Sequence, residues 1–131
     1  MDGTLADYTN GWQADDIIGD PVPEMYHRVC NWIREGREVR IFTARVWPIT
    51  EVITADTDLS CYTGHESGPE QDKALDAAEA IRQWSLKHFG HVIPITCVKD
   101  KRMVELYDDR CVQVIANTGK LVGSSSRGIP A

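Results

Sequence analysis

The chain has 131 residues, 42% of them apolar and 26% charged, and its 14 basic and 20 acidic residues give a net charge of −6. This length suits one compact domain and disfavours two folding units. The excess of acidic residues disfavours non-specific binding to the phosphate backbone of a nucleic acid. No apolar run reaches the roughly 20 residues of a membrane span, and MDGTLADYTN does not resemble a signal peptide. We therefore expect a cytoplasmic protein without a membrane partner.

The first half of the chain predicts one helix and one strand. Apolar residues lie at helical spacing between positions 25 and 33, and Gly36 follows as a stop signal. The next stretch, REVRIFTAR, is rich in β-branched residues and predicts a strand that ends at Thr43. Residues 46–68 show no sustained period and predict a long loop.

The second half repeats the helix-to-strand order. Pro69 begins a predicted helix with Gly90 as its cap, HVIPITCV follows as a strand, and we expect a last strand at 112–115. This alternation predicts an α/β fold, a three-layer sandwich around a mainly parallel sheet. We expect a single domain over residues 1–122 and a flexible tail at 123–131.

The cysteines are widely spaced and form no C-x-x-C pair, so we expect reduced thiols. They are Cys30, Cys61, Cys97 and Cys111. A zinc-held structural protein is an alternative, in which Cys61 and His65 would bind the metal with His88 or His91. This spacing matches no usual zinc framework.

Polar residues directly after apolar runs are the candidate site, because ligands of parallel sheets bind beyond the carboxyl ends of the strands. Four places have this pattern: Asp2-Gly3-Thr4, Thr43 after VRIF, Lys99 after ITCV, and Asp108-Asp109 after VELY. Each of them alone also has an ordinary interpretation as a turn, a strand end, a solvated charge or a helix cap.

Together, MDGTL, IFTAR, VKDKRM and YDDR resemble the four ordered motifs of haloacid dehalogenase (HAD) superfamily phosphatases, over about residues 1–118. The resemblance implies a Rossmann-like fold. It also implies a Mg²⁺-dependent phosphomonoester hydrolase that works through an aspartyl phosphate. The connection between the first motif and the first predicted helix is too short for the large cap domain of many relatives, so we expect an open site.

The resemblance assigns the metal and the proton transfer to carboxylates. Asp2 would protonate the leaving oxygen and then activate water, and its main-chain carbonyl would bind Mg²⁺. Asp108 and Asp109 would complete the oxygen coordination of the cation. Gly3 and Thr4 would contact the substrate in the same turn.

Two other residues, Thr43 and Lys99, would bind the phosphoryl group. Thr43 would donate a hydrogen bond to one of its oxygens, and Lys99 would offset the developing negative charge. Lys101 is the rival for this second role, although Lys99 follows the strand directly. Arg45 would hold a second phosphate, or instead pair with a nearby carboxylate.

The pattern departs from the family at its nucleophile, which would lie directly before Met1 together with the strand that carries it. We expect either an upstream start or a strand exchanged between the chains of a homodimer, since an absent central strand leaves main-chain groups unpaired. Asp7 follows the turn and does not substitute. The complete protein is then a phosphatase, and this chain is inactive or impaired. The alternative is a non-catalytic HAD-fold module for binding or assembly.

The expected partner is a small phosphorylated metabolite or nucleotide. The end of a nucleic acid is less favoured because the chain is acidic. The loop at 46–68 either folds over the pocket, where Trp47, Tyr62 and His65 would stack on a base or a sugar, or lies on the surface.

Overall fold

A computed structural model describes residues 1–14, 16–62 and 68–123. Within these residues no helix combines the length and apolar character needed to cross a membrane. The elements in chain order are α1 (Pro23–Arg34), β1 (Ile41–Phe42), a 3₁₀ helix (Ala44–Val46), a second 3₁₀ helix (Leu59–Tyr62), α2 (Pro69–Phe89) and β2 (Ile95–Thr96).

The two strands pair in parallel, with Ile41 opposite Ile95 and Phe42 opposite Thr96. The pairing continues past the strand end, where the Thr43 main-chain N–H donates to the Thr96 carbonyl at 2.9 Å. The described residues thus form a small mixed α/β structure with two α-helices and a two-stranded parallel sheet. The three-layer sandwich stays a prediction, because this sheet is too small to define three layers.

Both helices begin and end where the local sequence predicts. Pro23 and Pro69 each lie in a first turn, where a missing N–H costs nothing. Gly36 follows α1 with φ +78°, and Gly90 caps α2 with φ +79°, a left-handed conformation that favours glycine. The buried face of α2 combines small residues with Ile81 and Trp84, and the helix packs against the 3₁₀ helix at Ala44–Val46.

Ser85 joins α2 to the chain that leads into β2. Its hydroxyl donates to the His91 carbonyl and accepts from the Ile93 main-chain N–H, both at 2.8 Å. The side chain is fully buried beside Ile81 and Ile95, which belong to the same core.

The loop that follows β1 takes part in the core. Ile49 and Ile53 are buried, and Ile53 exchanges two main-chain hydrogen bonds of 2.8 Å with Ile95. This antiparallel bridge covers one edge of β2. Trp47 is exposed and Tyr62 is half-buried, while His65 lies outside the described residues.

The end of the chain differs from the sequence expectation of a last strand. Positions 112–115 form an isolated antiparallel bridge, Val114 with Leu121, around a tight turn in which Asn117 has φ +65°. Val112, Val114 and Ile115 are exposed, and no bridge joins them to β1 or β2 in the described structure. Their apolar side chains cover no core there. Of the tail expected at 123–131, residues 124–131 lie outside the described residues.

Candidate functional site

The candidate site lies at the carboxyl end of β1. The amino group of Met1 donates to the Phe42 carbonyl at 2.9 Å, which places the turn that follows Met1 beside the end of this strand. Residues 2–4, the 3₁₀ helix at Ala44–Val46 and the loop at 108–109 meet around this point.

Arg45 binds Asp2 through both arms of its guanidinium. Nε lies 2.7 Å from Oδ2 and Nη2 lies 3.2 Å from Oδ1. Nη1 also donates to the Ala14 carbonyl at 3.0 Å. The Arg45 side chain is 9% exposed and that of Asp2 is 21% exposed, so the pair is only weakly screened by water. Of the two roles expected for Arg45, pairing with a carboxylate is the one that the structure shows.

Thr43 caps the 3₁₀ helix that carries Arg45. Its Oγ1 accepts a hydrogen bond from the Arg45 main-chain N–H at 3.2 Å, and the residue is buried. A hydroxyl that accepts one bond keeps its own proton for donation. Thr43 therefore holds Arg45 in position and retains a donor at the end of β1.

The Asp-Gly-Thr turn contacts the acidic pair directly. The Asp109 main-chain N–H donates to Thr4 Oγ1 at 3.0 Å. Gly3 has φ +81°, and a Cβ placed there would come within 2.5 Å of Asp109 Oδ2. Glycine is thus required at position 3 both by its backbone conformation and by the approach of Asp109. The first and fourth motifs, distant in sequence, form one site.

Opposing charges surround the amino group of Met1. Burial lowers the pKa of this ammonium below its usual value, because the charged form loses hydration. The nearby carboxylates of Asp2, Asp108 and Asp109 act in the opposite direction. Three carboxylates and the Arg45 guanidinium therefore share one small region at the end of β1.

The lysine of the third motif is not joined to this region. Lys99 and Lys101 are both exposed, in the turn that follows β2. No hydrogen bond or ion pair connects either of them to another described residue.

The acidic residues have the oxygen donors that Mg²⁺ prefers, but they are not gathered as a preformed metal site. Both carboxylate oxygens of Asp2 bind Arg45, and Asp108 Oδ1 accepts from the Arg110 main-chain N–H at 2.8 Å. Among the described residues, no group of three or more His, Cys, Asp or Glu side chains has an arrangement that could hold a metal ion. All four cysteines are unpaired.

Sequence analysis missed a polar pocket of about 410 Å³ next to Arg45. The chain that connects the first turn to α1 lines it, including Tyr8, Asn10 and Gln13. The Asp7 main-chain N–H donates to the Asp20 carbonyl at 2.7 Å and ties the two ends of this connection together. The sequence signal for this pocket was the cluster of polar residues at 8–13, but such a cluster predicts no more than a loop.

Comparison of the chain with protein-family models finds no match. Neither the curated proteins nor the solved structures include a match.

Proposed function

We propose that the region around Asp2 and Arg45 binds a phosphoryl group, and that the complete protein is a Mg²⁺-dependent phosphomonoester hydrolase of the HAD type. The contact of Gly3 and Thr4 with Asp109, beside the end of β1, carries this proposal. Residues of the first, second and fourth motifs, which are far apart in sequence, thus lie together at the end of β1.

The donors at this site suit a phosphoryl group. The Arg45 guanidinium is planar and binds two oxygens of one anion, as it does with Asp2. The Thr43 hydroxyl is a further donor at the same strand end. A bound phosphoryl group would compete with Asp2 for Arg45. Binding of the phosphoryl group is therefore coupled to the release of the Asp2 carboxylate from Arg45.

The chemistry proceeds in two displacements. A carboxylate directly before Met1 attacks phosphorus while the bond from phosphorus to the leaving oxygen breaks, and Asp2 gives its proton to that oxygen. A water molecule, which loses a proton to Asp2, then attacks the acyl phosphate and releases inorganic phosphate. At least one hydrogen bond between Asp2 and Arg45 must break before the Asp2 carboxyl can reach the oxygen of the leaving group. A form without the attacking carboxylate would bind the phosphate ester but would not hydrolyse it.

Mg²⁺ is the proposed cofactor, and Asp108, Asp109 and the Asp2 carbonyl are the groups that would hold it. When bound, the ion neutralises charge that otherwise keeps carboxylates and a phosphate apart. Because the described residues hold no preformed group of acidic side chains for a cation, we expect the metal to bind weakly until a phosphorylated ligand supplies further oxygen atoms.

The proposed substrate is a small phosphorylated metabolite or nucleotide in the cytoplasm. The pocket beside Arg45 is small and lined by polar side chains, which suits a sugar or a short polar chain. The net charge of −6 disfavours the end of a nucleic acid. Unpaired thiols agree with a reducing compartment.

Hydrolysis is tested by appending a short apolar segment that ends in Asp immediately before Met1. The matched control ends in Asn, which has the same shape without the nucleophile. We expect the Asp form to hydrolyse an aryl phosphate with Mg²⁺ and to stop when a chelator is added, and the Asn form and the original chain to be inactive. An Asp form that binds Mg²⁺ but hydrolyses nothing in a broad panel of phosphoesters would contradict the proposal.

Binding is tested on the chain itself by calorimetric titration with inorganic phosphate. Asp2→Asn removes a competing negative charge and should tighten binding about tenfold, whereas Arg45→Met should abolish it. Asp76→Asn, an exposed carboxylate of α2 that does not line this pocket, is the control and should change little. Circular dichroism checks that each variant is folded. Equal affinities in all four proteins would contradict the proposal.

A non-catalytic binding or assembly module is the second candidate. The observation in its favour is that both Asp2 oxygens are bound by Arg45 in a largely buried pair, as in a structural link. It predicts phosphate binding without turnover in every form, including the one extended by a segment ending in Asp.

A further inference from the structure

Residues 8–11 form a tight turn on the surface, in the chain that connects the first turn to α1. The Gly11 main-chain N–H donates to the Tyr8 carbonyl at 2.9 Å and closes this turn. Gly11 has φ +69°, and nothing lies within 4 Å of a Cβ built at this position. Asn10 and Gly11 are both exposed. An asparagine followed by a glycine therefore lies in an exposed turn, with open space beside the glycine.

An asparagine in such a turn can lose its amide group without an enzyme. The main-chain nitrogen of the following residue attacks the side-chain carbonyl carbon, and a cyclic succinimide forms as the C–N bond of the side-chain amide breaks. The amide group leaves as ammonia and takes the proton of the attacking N–H. Water then opens the ring at one of its two carbonyl carbons, which gives aspartate or isoaspartate. The whole change consumes one water and releases one ammonia, so it needs no oxidant or reductant.

The chain has three asparagines, and their surroundings differ. They are Asn10, Asn31 and Asn117. Asn31 lies inside α1, where the hydrogen bonds of the helix restrain the main chain. Asn117 lies in an exposed turn, in which the Thr118 N–H donates to the carbonyl three residues earlier at 3.2 Å. The β-branched side chain of Thr118 crowds the attacking nitrogen, whereas Gly11 has no side chain.

The attack at Asn10 requires the Gly11 N–H to leave the Tyr8 carbonyl. Within the described residues, the hydrogen bonds made by residues 8–13 reach no further than Asp7. Short surface turns of this kind open at little cost, because few contacts are lost. We therefore expect the ring to form from a briefly opened turn while the rest of the fold stays intact.

We propose that Asn10 is a site of spontaneous deamidation, and that the carboxylate it forms weakens anion binding at Arg45. Asn10 and Arg45 line the same polar pocket of about 410 Å³, which Asp7 and Asp20 also line. Arg45 is the one cation among the described residues of this lining. A further carboxylate there attracts the guanidinium and repels a phosphoryl group. The modification rests on the turn alone, while its effect on binding rests on the proposed function.

The modification is tested by peptide mass spectrometry of the chain during incubation at neutral pH and physiological temperature. We expect Asn10 to deamidate at least about tenfold faster than Asn117, because a glycine leaves the attacking nitrogen uncrowded. Gly11→Ala should slow the reaction at Asn10. Gly36→Ala has the same kind of backbone cost, at φ +78°, and should leave the rate at Asn10 unchanged. Circular dichroism checks that both variants are folded.

Equal rates at Asn10 and Asn117 would overturn the proposed modification. A rate at Asn10 that Gly11→Ala leaves unchanged, or that both glycine variants lower equally, would overturn it as well.

The effect on the pocket is tested with Asn10→Asp by calorimetric titration with inorganic phosphate. We expect binding about fivefold weaker than that of the original chain. Asn31→Asp adds the same charge on the exposed surface of α1, outside the pocket, and should change little. Equal affinities of the original chain and Asn10→Asp would overturn the effect on binding. If the original chain binds no phosphate, the proposed function and this effect fail together, while the deamidation rates still decide the modification.

Discussion

The main-chain N–H of Asp109 donates to Thr4 Oγ1 at 3.0 Å, which links positions separated by 105 residues. Asp109 is exposed, and no β-bridge joins its loop to β1 or β2 in the described structure. The first turn of the chain therefore helps to position the loop that carries the acidic pair. Changes in this turn should be detected at Asp109.

Thr4→Val removes the acceptor for the Asp109 amide and keeps the shape of the side chain. We expect a loss of about 1 kcal/mol in the free energy of unfolding and faster hydrogen exchange at Asp109. Urea denaturation and NMR exchange measure the two effects. Thr50→Val is the control, because Thr50 is exposed and its side chain makes no hydrogen bond in the described structure. Equal effects of both variants would show that the bond contributes nothing.

Gly3→Ala tests the close approach of Asp109 separately. Alanine at φ +81° costs about 1–2 kcal/mol, and its Cβ would also displace the Asp109 carboxylate. Gly36→Ala is a matched control, because its φ of +78° gives the same backbone cost while nothing lies within 4 Å of the added Cβ. We expect Gly3→Ala to be the more destabilising of the two in urea denaturation. A smaller loss for Gly3→Ala would mean that Asp109 does not pack against this turn.

Arg45→Lys tests the two-armed contact with Asp2. Lysine keeps the charge but cannot bind both carboxylate oxygens and the Ala14 carbonyl together, so we expect a loss of about 1–3 kcal/mol. Arg34→Lys on the exposed surface of α1 should change the free energy of unfolding by less than about 0.5 kcal/mol. Chemical denaturation measures the free energy of unfolding of both variants. Similar losses would show that the Arg45 contact contributes no more to stability than a surface charge does.

The parts of the fold that follow from local signals could be predicted from the sequence. Pro23 and Gly36 bound α1, and Pro69 and Gly90 bound α2, because these residues act through their own backbone conformation. The strand at REVRIFTAR was also predicted, although the observed strand covers only Ile41–Phe42, with one further main-chain hydrogen bond to β2 at Thr43.

The rest depends on partners that no local pattern identifies. Ile53 lies in a segment without periodicity, and its burial depends on the bridge to Ile95. Val114 lies in a segment with the composition of a strand, but this segment has no neighbour in the sheet in the described structure. It turns back instead, so that Val114 pairs with Leu121. The pairing of Asp2 with Arg45 was one of two roles considered for the arginine, and spacing alone does not choose between them.

A pH prediction concerns Asp100, which lies in the segment that follows β2. The Arg102 main-chain N–H and then the Arg40 guanidinium hold the pKa of this carboxyl below its ordinary value. A lowered pKa means that the folded state favours the ionised form. The resulting stability is fully present above the ordinary pKa, and it is lost as the pH falls through the lower folded value.

Asp100→Asn removes this contribution. We expect the variant to be less stable than the original chain near neutral pH, and the difference to shrink below about pH 4, where the original carboxyl becomes protonated. Urea denaturation across the pH range measures it. Asp76→Asn, on the exposed side of α2, has no hydrogen bond to lose in the described structure and is the control. A difference between Asp100→Asn and the original chain that persists unchanged at pH 2–3 would show that it does not arise from ionisation.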